Sequence, residues 1–166
     1  ALDVQERLVG PNNPGIVESL HWLAIDLNNE RRSDAAGEIL DRAEPLVKKS
    51  GEPSMVARQF YDRSYIAGAR DPDAEMRFAQ QAVDSVNPAV PGQKGAAAEA
   101  NFALGQANTR RNMAAAEAPL RRSMEVYAQL KGTDYVWTNR ARLLLARVLI
   151  AQKKLPESKA LLEQAE

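Results

Sequence analysis

Three short stretches carry residue types that could do chemistry. His21 is the one histidine and the chain has no cysteine, so a thiol–histidine dyad and a zinc site both lack partners. The segment Gly92–Gly95 (GQKG) lacks the G-x-x-x-x-G-K-[ST] spacing that surrounds a phosphate with backbone N–H groups. The acidic segment Asp71–Glu75 (DPDAE) lacks the further ligands of a calcium loop and is better explained as a helix cap. The sequence therefore predicts no enzyme, no metal site and no cofactor.

Arginine and tryptophan are the other residue types that could bind a ligand. Arginine pairs occur at 31–32, 110–111 and 121–122. Solvated faces and helix C-termini, where positive charge is favoured, account for most of them. A guanidinium also binds carboxylates in a fixed two-pronged geometry, so arginines that share one surface favour an acidic partner. Trp22 and Trp137 are interpreted as packing residues between helix pairs rather than as platforms for a ligand.

The elements that hold these residues follow from four evenly spaced glycines. Gly10, Gly51, Gly92 and Gly132 are separated by 41, 41 and 40 residues, and each is expected to close one helix before another begins. A period near 40 without strand patterns is typical of a helical solenoid. Both ends of the chain lie inside a repeat, so we expect a single repeat domain that is a fragment of a longer protein. Within 1–166, the predicted units are 11–51, 52–92, 93–132 and 133–166, preceded by the end of another unit at 1–10.

The first unit shows the helical pattern most clearly. Its apolar stripe is formed by Ile16, Leu20, Leu23, Ala24 and Leu27. Ser33 or Asp34 is expected to cap the second helix of the pair. Pro45 and Pro119 are expected inside second helices, where each removes a backbone hydrogen bond and bends its helix.

Small side chains recur at matching places in the units. Leucine followed by a small residue occurs at 23–24, 104–105 and 145–146, and further small residues follow at Ala36, Ala116 and Ser158. Small residues at these places allow the two helices of a pair to approach closely. The second unit has Asp62-Arg63-Ser64 instead, so its register is open by one residue.

These features resemble the tetratricopeptide repeat family. The long period and the linker Gly10–Pro14 (GPNNP) resemble its kinesin-light-chain type, and the closest stretches are 116–127 and 145–165. The resemblance implies an all-α fold, a right-handed superhelical stack of antiparallel helix pairs. It also implies that the first helix of each pair lines a concave groove.

The resemblance further implies a protein–protein interaction module that binds a peptide or a partner domain. Such a module is expected within a multidomain signalling or regulatory protein. Recurring arginines favour an extended acidic segment as the ligand. The alternative is a structural segment that mediates self-association. On matching positions, the residues expected to line the peptide-binding groove are His21, Asn28, Asn29, Arg58, Tyr61, Tyr65, Phe102, Gln106, Arg110, Arg140 and Arg147.

Composition limits the other partners. The chain has 22 basic and 22 acidic residues, so its net charge of zero gives no support for a nucleic-acid partner. No stretch approaches the roughly 18 apolar residues of a membrane span. The first ten residues lack the apolar core of a signal peptide. We therefore expect no nucleic acid, no membrane and a cytoplasmic location.

Overall fold

The fold, given by a computed structural model that describes residues 2–68 and 70–164, is built from helices. Nine α-helices and three short 3₁₀ turns are the regular elements of these residues, which confirms the all-α prediction. The predicted unit boundaries at residues 1 and 166 lie outside them. The α-helices are α1 (Leu2–Val9), α2 (Val17–Asn29), α3 (Ser33–Ser50), α4 (Pro53–Ala67), α5 (Pro72–Asp84), α6 (Lys94–Arg111), α7 (Glu117–Lys131), α8 (Val136–Ala151) and α9 (Leu155–Glu163).

The helices pack in neighbouring pairs. The pairs are α2 with α3, α4 with α5, α6 with α7, and α8 with α9. Contacts also join α3 to α4, α5 to α6 and α7 to α8, so each pair adjoins the next. In addition α2 touches α4, α4 touches α6, and α6 touches α8. The first helices of the four pairs therefore form one contiguous row.

Small buried residues set the close approach within each pair. Gly105 on α6 has the least space, because an added Cβ would lie 2.5 Å from Cγ of Leu120 on α7. Ser64 on α4 is buried, and its hydroxyl donates a hydrogen bond of 3.0 Å to the carbonyl oxygen of Glu75 on α5. Ser64 thus takes the place that alanine or glycine has in the other pairs, which settles the register of the second unit.

Three of the four periodic glycines end helices as expected. Gly10, Gly51 and Gly132 have φ angles of 85°, 67° and 96°, in the left-handed region that strains any residue with a side chain. For Gly92 the expectation is wrong. It lies in the 3₁₀ turn Pro91–Gln93 that leads into α6, and α5 has already ended at Asp84.

The predicted caps have different outcomes. Asp71 caps α5, since its side chain accepts a hydrogen bond of 2.9 Å from the N–H of Ala74. Ser33 is not a cap but the first residue of α3, and its hydroxyl donates to Oδ1 of Asn28 at 2.8 Å. Asp34 lies in the first turn of α3, where its negative charge suits the helix N-terminus.

The two internal prolines also differ. Pro45 lies inside α3 as predicted, so the carbonyl of Asp41 lacks its usual helical N–H partner. Pro119 lies in the first turn of α7, directly after the 3₁₀ turn Met113–Ala116. The prediction of an interior position is therefore wrong for Pro119. A proline in a first turn costs little, because the N–H groups there have no partner within the α-helix.

Candidate functional site

Aromatic side chains are concentrated on the row of first helices. The chain has nine aromatic residues (two Trp, four Tyr and three Phe), and five of them line one depression of about 420 Å³. A second depression of about 520 Å³ spans α4, α6 and α8 and shares residues with the first. We call the first the inner depression, the second the basic depression, and the two together the aromatic cleft. The five rings of the inner depression are Trp22, Tyr61, Tyr65, Tyr135 and Trp137.

The repeat period explains why these residues come together. Positions 40 or 41 residues apart fall at equivalent places on successive first helices. Residues four apart lie on the same face of a helix, so two such rows run side by side. Together they supply much of the lining of the basic depression. The rows are Tyr61, Phe102 and Leu143, and Tyr65, Gln106 and Arg147.

Trp137 is the centre of the ring cluster. Its ring packs edge-on against Tyr61, with centroids 6.3 Å apart, and against Phe102, at 5.6 Å. Tyr61 and Phe102 are each 8% exposed and form the floor of the cleft, whereas Trp22 is 54% exposed and Tyr65 39%. Burial raises the pKa of Tyr61, so its hydroxyl stays protonated. Trp137 does pack between helix pairs, but the same interpretation is wrong for Trp22, which is an exposed wall of the cleft.

Arg58 lines the inner depression but is bound by the protein's own acids. Its Nε donates to both carboxylate oxygens of Asp62, at 2.9 and 3.1 Å, and Asp62 is fully buried. Its Nη1 lies 3.8 Å from Oε2 of Glu99 on α6. The guanidinium carbon also lies 5.3 Å from the ring centre of Trp22 and 5.5 Å from that of Tyr61. Arg58 is therefore held from three sides.

His21 is buried beneath the cleft, not exposed on its wall as expected. Its Nε2 lies 2.7 Å from Oε1 of Gln59. The amide nitrogen of Gln59 donates to the carbonyl of Leu40, so Oε1 is the acceptor and Nε2 of His21 carries the proton. The other ring nitrogen, Nδ1, lies 3.5 Å from Oδ2 of Asp62. Burial lowers the pKa of His21 to about 4 and raises that of Asp62 to about 7.

Arg110 lines the basic depression and also holds two helices together. It forms an ion pair with Glu75 on α5, whose side chain is almost fully buried. The second carboxylate oxygen of Glu75 is buried without another hydrogen-bond partner. Replacing Arg110 would leave a buried charge unpaired, so this arginine has a structural role.

Arg140 and Arg147 lie two turns apart on α8 and are exposed. No carboxylate of residues 2–68 or 70–164 lies within the 4.0 Å ion-pair distance of either guanidinium. Arg140 lies over the ring of Trp137, at 4.6 Å from its centre. The lining of the basic depression contains these two residues and Arg110 but no aspartate or glutamate. Arg140 and Arg147 are thus the cations that an anionic ligand could reach.

The remaining expected groove residues divide. Asn29 lines the inner depression and accepts a hydrogen bond of 3.4 Å from the hydroxyl of Tyr65, and Gln106 lines the basic depression. Asn28 does not line the cleft; it accepts the hydroxyl of Ser33 at the turn between α2 and α3. Of the eleven expected residues, all but His21 and Asn28 line the aromatic cleft.

Sequence reasoning missed Trp22, Tyr135 and Glu99. The period could have found Glu99, because it lies 41 residues after Arg58 and 41 before Arg140. Equivalent positions along the first helices therefore alternate in charge. In chain order they are Glu18, Arg58, Glu99 and Arg140.

Within the part of the chain that the structure describes, no group of three or more histidine, aspartate or glutamate residues could hold a metal ion. None of the helices described there is long and apolar enough to cross a bilayer. Comparison with protein-family models gives no match to this chain, and comparison with curated proteins gives none either.

Proposed function

We propose that the chain is a protein–protein interaction module that holds an extended, acidic segment of a partner protein in the aromatic cleft. One observation carries this proposal: Arg140 and Arg147 face a depression without acidic residues, next to exposed aromatic rings. Ligand carboxylates pair with the two guanidinium groups. Apolar ligand side chains lie on Trp22 and Tyr65, whose rings offer contact area at a low cost in entropy.

The finer architecture belongs to the same proposal. The helix pairs form a right-handed superhelical stack of the tetratricopeptide type, and the first helices line its concave groove. The regular period, the pairing of helices in chain order and the contiguous row of first helices support this arrangement. The module acts within a cytoplasmic, multidomain signalling or regulatory protein and performs no catalytic step itself.

The shape of the cleft favours a segment of chain over a small molecule. It extends across α2, α4, α6 and α8, and packed helices are about 8–10 Å apart. An extended chain advances about 3.3 Å per residue, so roughly eight residues span the row. Both depressions are open, as suits a backbone that enters at one end and leaves at the other.

The test uses three fluorescein-labelled peptides of about twelve residues, sized from the span of the cleft. They repeat Glu-Leu-Glu-Ser, Gln-Leu-Gln-Ser and Lys-Leu-Lys-Ser, and binding is measured by fluorescence anisotropy. We expect the glutamate peptide to bind most tightly and to weaken as salt is added, because exposed charge pairs are screened. Equal binding of all three, a preference for the lysine peptide, or no binding would overturn the proposal.

Replacing two arginines identifies the site. Arg140→Gln with Arg147→Gln should weaken binding of the glutamate peptide without lowering the melting temperature, since neither has an acidic partner in the fold. The matched control is Arg77→Gln with Arg122→Gln, two exposed arginines on second helices. If the control weakens binding as much as the cleft variant, the acidic ligand binds elsewhere.

Self-association is the alternative function, and exposed apolar side chains favour it. Leu8 on α1 is 78% exposed and Leu155 on α9 is 60% exposed. Sedimentation velocity over a range of concentrations separates the two functions. A monomer at every concentration removes the alternative. A dimer that Leu8→Glu or Leu155→Glu dissociates, with no binding of the glutamate peptide, favours it.

A further inference from the structure

Arg58 differs from the other cleft arginines in how completely it is held. Asp62, one helical turn away on α4, accepts two hydrogen bonds from its Nε. Trp22 on α2 and Tyr61 on α4 lie against the guanidinium. Glu99 on α6 lies near its Nη1. One side chain thus connects three first helices beneath the cleft.

We infer that Arg58 is a positioning residue of the aromatic cleft and does not bind the ligand itself. Asp62 holds its guanidinium in place, and the guanidinium fixes the exposed ring of Trp22 as one wall of the inner depression. The effect on ligand binding rests on the proposed function, but the effect on the ring does not. Arg58 thereby differs from Arg140 and Arg147, which are left to the anionic groups of the ligand.

The chemistry of arginine suits this role. A guanidinium is planar, so it can donate to a carboxylate through its edge while its face lies on an aromatic ring. A lysine ammonium is a point charge and cannot do both. An anionic ligand that displaced Arg58 would leave Asp62 buried without its main ionic partner, which is strongly unfavourable. The ligand therefore does not compete for this arginine.

Trp22 depends on Arg58 more than Trp137 depends on any single neighbour. The ring of Trp137 packs against Tyr61, Phe102 and Tyr127. Among the described residues no aromatic ring packs against Trp22, and its stacked neighbour is the guanidinium of Arg58. Loss of Arg58 should therefore release Trp22 and leave Trp137 largely in place.

The same helix supplies a matched control. Arg63 also binds two carboxylates, of Asp41 and Glu44, and also lies over an aromatic ring, that of Phe78. It lines a separate depression between α3, α4 and α5 instead of the aromatic cleft. Replacing Arg63 therefore removes interactions of the same kind without touching Trp22.

The first experiment uses the free protein and needs no ligand. The protein is labelled with 5-fluorotryptophan, and its two ¹⁹F resonances are assigned with Trp22→Phe. We expect Arg58→Met and Arg58→Lys to shift the Trp22 resonance toward its position in the unfolded chain. Arg63→Met should leave it unchanged. A Trp22 resonance that is the same in both Arg58 variants as in the wild type would overturn the inference.

Asp62→Asn guards against loss of folding in the Arg58 variants. It removes the carboxylate that holds the guanidinium and leaves Arg58 itself in place. The inference expects the Trp22 resonance to move in the same direction as in Arg58→Met. An unchanged resonance in folded Asp62→Asn would show that the carboxylate does not hold the arginine against the ring, and would overturn the inference.

The second experiment measures binding of the glutamate peptide described above over a range of salt concentrations. Arg58→Met and Arg58→Lys should both weaken binding, by about fivefold to tenfold, the size expected for losing one ordered aromatic contact. The slope of log Kd against log salt should stay as in the wild type, whereas Arg147→Gln should reduce it. A slope reduced equally by Arg58→Met, or full affinity in Arg58→Lys, would make Arg58 a ligand contact. If the wild type binds no peptide, the proposed function fails, and the ¹⁹F experiment still decides the role of Arg58.

Discussion

Adding one methyl group at Gly105 should destabilise the protein, and the structure gives the size of the effect. A Cβ at this position would lie 2.5 Å from Cγ and 2.6 Å from Cδ2 of Leu120, and 3.4 Å from its backbone nitrogen. Leu120 is fully buried, and Cγ is not the free end of its side chain, so the α6–α7 contact itself has to open. Overpacking of this kind costs about 1–3 kcal/mol.

Helix propensity acts in the opposite direction. Alanine is better than glycine in a helix interior by about 1 kcal/mol. The net loss for Gly105→Ala should therefore be about 1–2 kcal/mol, which combines the overpacking and propensity terms. The control is Gly37→Ala in the interior of α3, where nothing lies within 4 Å of the added Cβ. That variant should gain roughly 0.5–1 kcal/mol.

The assay is urea unfolding followed by circular dichroism, with the free energy of unfolding extrapolated to water. A double-mutant cycle with Leu120→Ala isolates the contact. In the Leu120→Ala background the added methyl meets empty space, so Gly105→Ala should cost nothing or stabilise. If Gly105→Ala and Gly37→Ala change stability equally, or if the cycle shows no coupling, the close approach of α6 and α7 is not set by Gly105.

Two further predictions concern buried charges. Arg110→Gln should lower the urea midpoint markedly, because it leaves Glu75 buried and unpaired, whereas Arg147→Gln should not change it; equal midpoints would contradict the structural role of Arg110. The pKa of His21 falls from 6.5 unfolded to about 4 folded, so its contribution to stability is lost as pH falls between these values. The pKa of Asp62 rises from 3.8 to about 7, so its contribution is lost as pH rises over that range, and the two slopes oppose each other. Stability of the wild type should therefore vary little between about pH 4 and 6.5, whereas Asp62→Asn should become more stable toward pH 6.5, by at most about 3 kcal/mol. Urea midpoints of Asp62→Asn that are flat over this range would refute the burial argument for His21.

The repeat period accounts for most of what the sequence predicts. It places Tyr61, Phe102 and Arg147 on successive first helices, because a constant spacing keeps equivalent residues on one face. Helix pairs and their small contact residues follow from the same spacing. Gly92 shows where this reasoning ends. Its spacing is regular, yet it lies in a 3₁₀ turn before α6, because α5 ends several residues earlier.

The state of individual charged residues could not be predicted in the same way. Arg58 and Arg110 are bound by acids of other units, Glu99 and Glu75, that lie 41 and 35 residues away. His21 is buried through a hydrogen bond to Gln59, 38 residues away. No single-helix pattern indicates these partners, because they depend on how neighbouring pairs are rotated against each other.

Local compensation, not total charge, decides what the cleft can bind. The net charge of zero correctly gives no reason to expect attraction over the whole surface. Along the first helices, however, the equivalent positions alternate in sign, and Arg58 is neutralised by Asp62 with Glu99 nearby. Arg140 occupies the next position and lies over Trp137, without an acidic partner among the described residues. A neutral chain can therefore present a positive region at one end of a row whose other charges cancel, and there an acidic segment finds unpaired guanidinium groups beside aromatic rings.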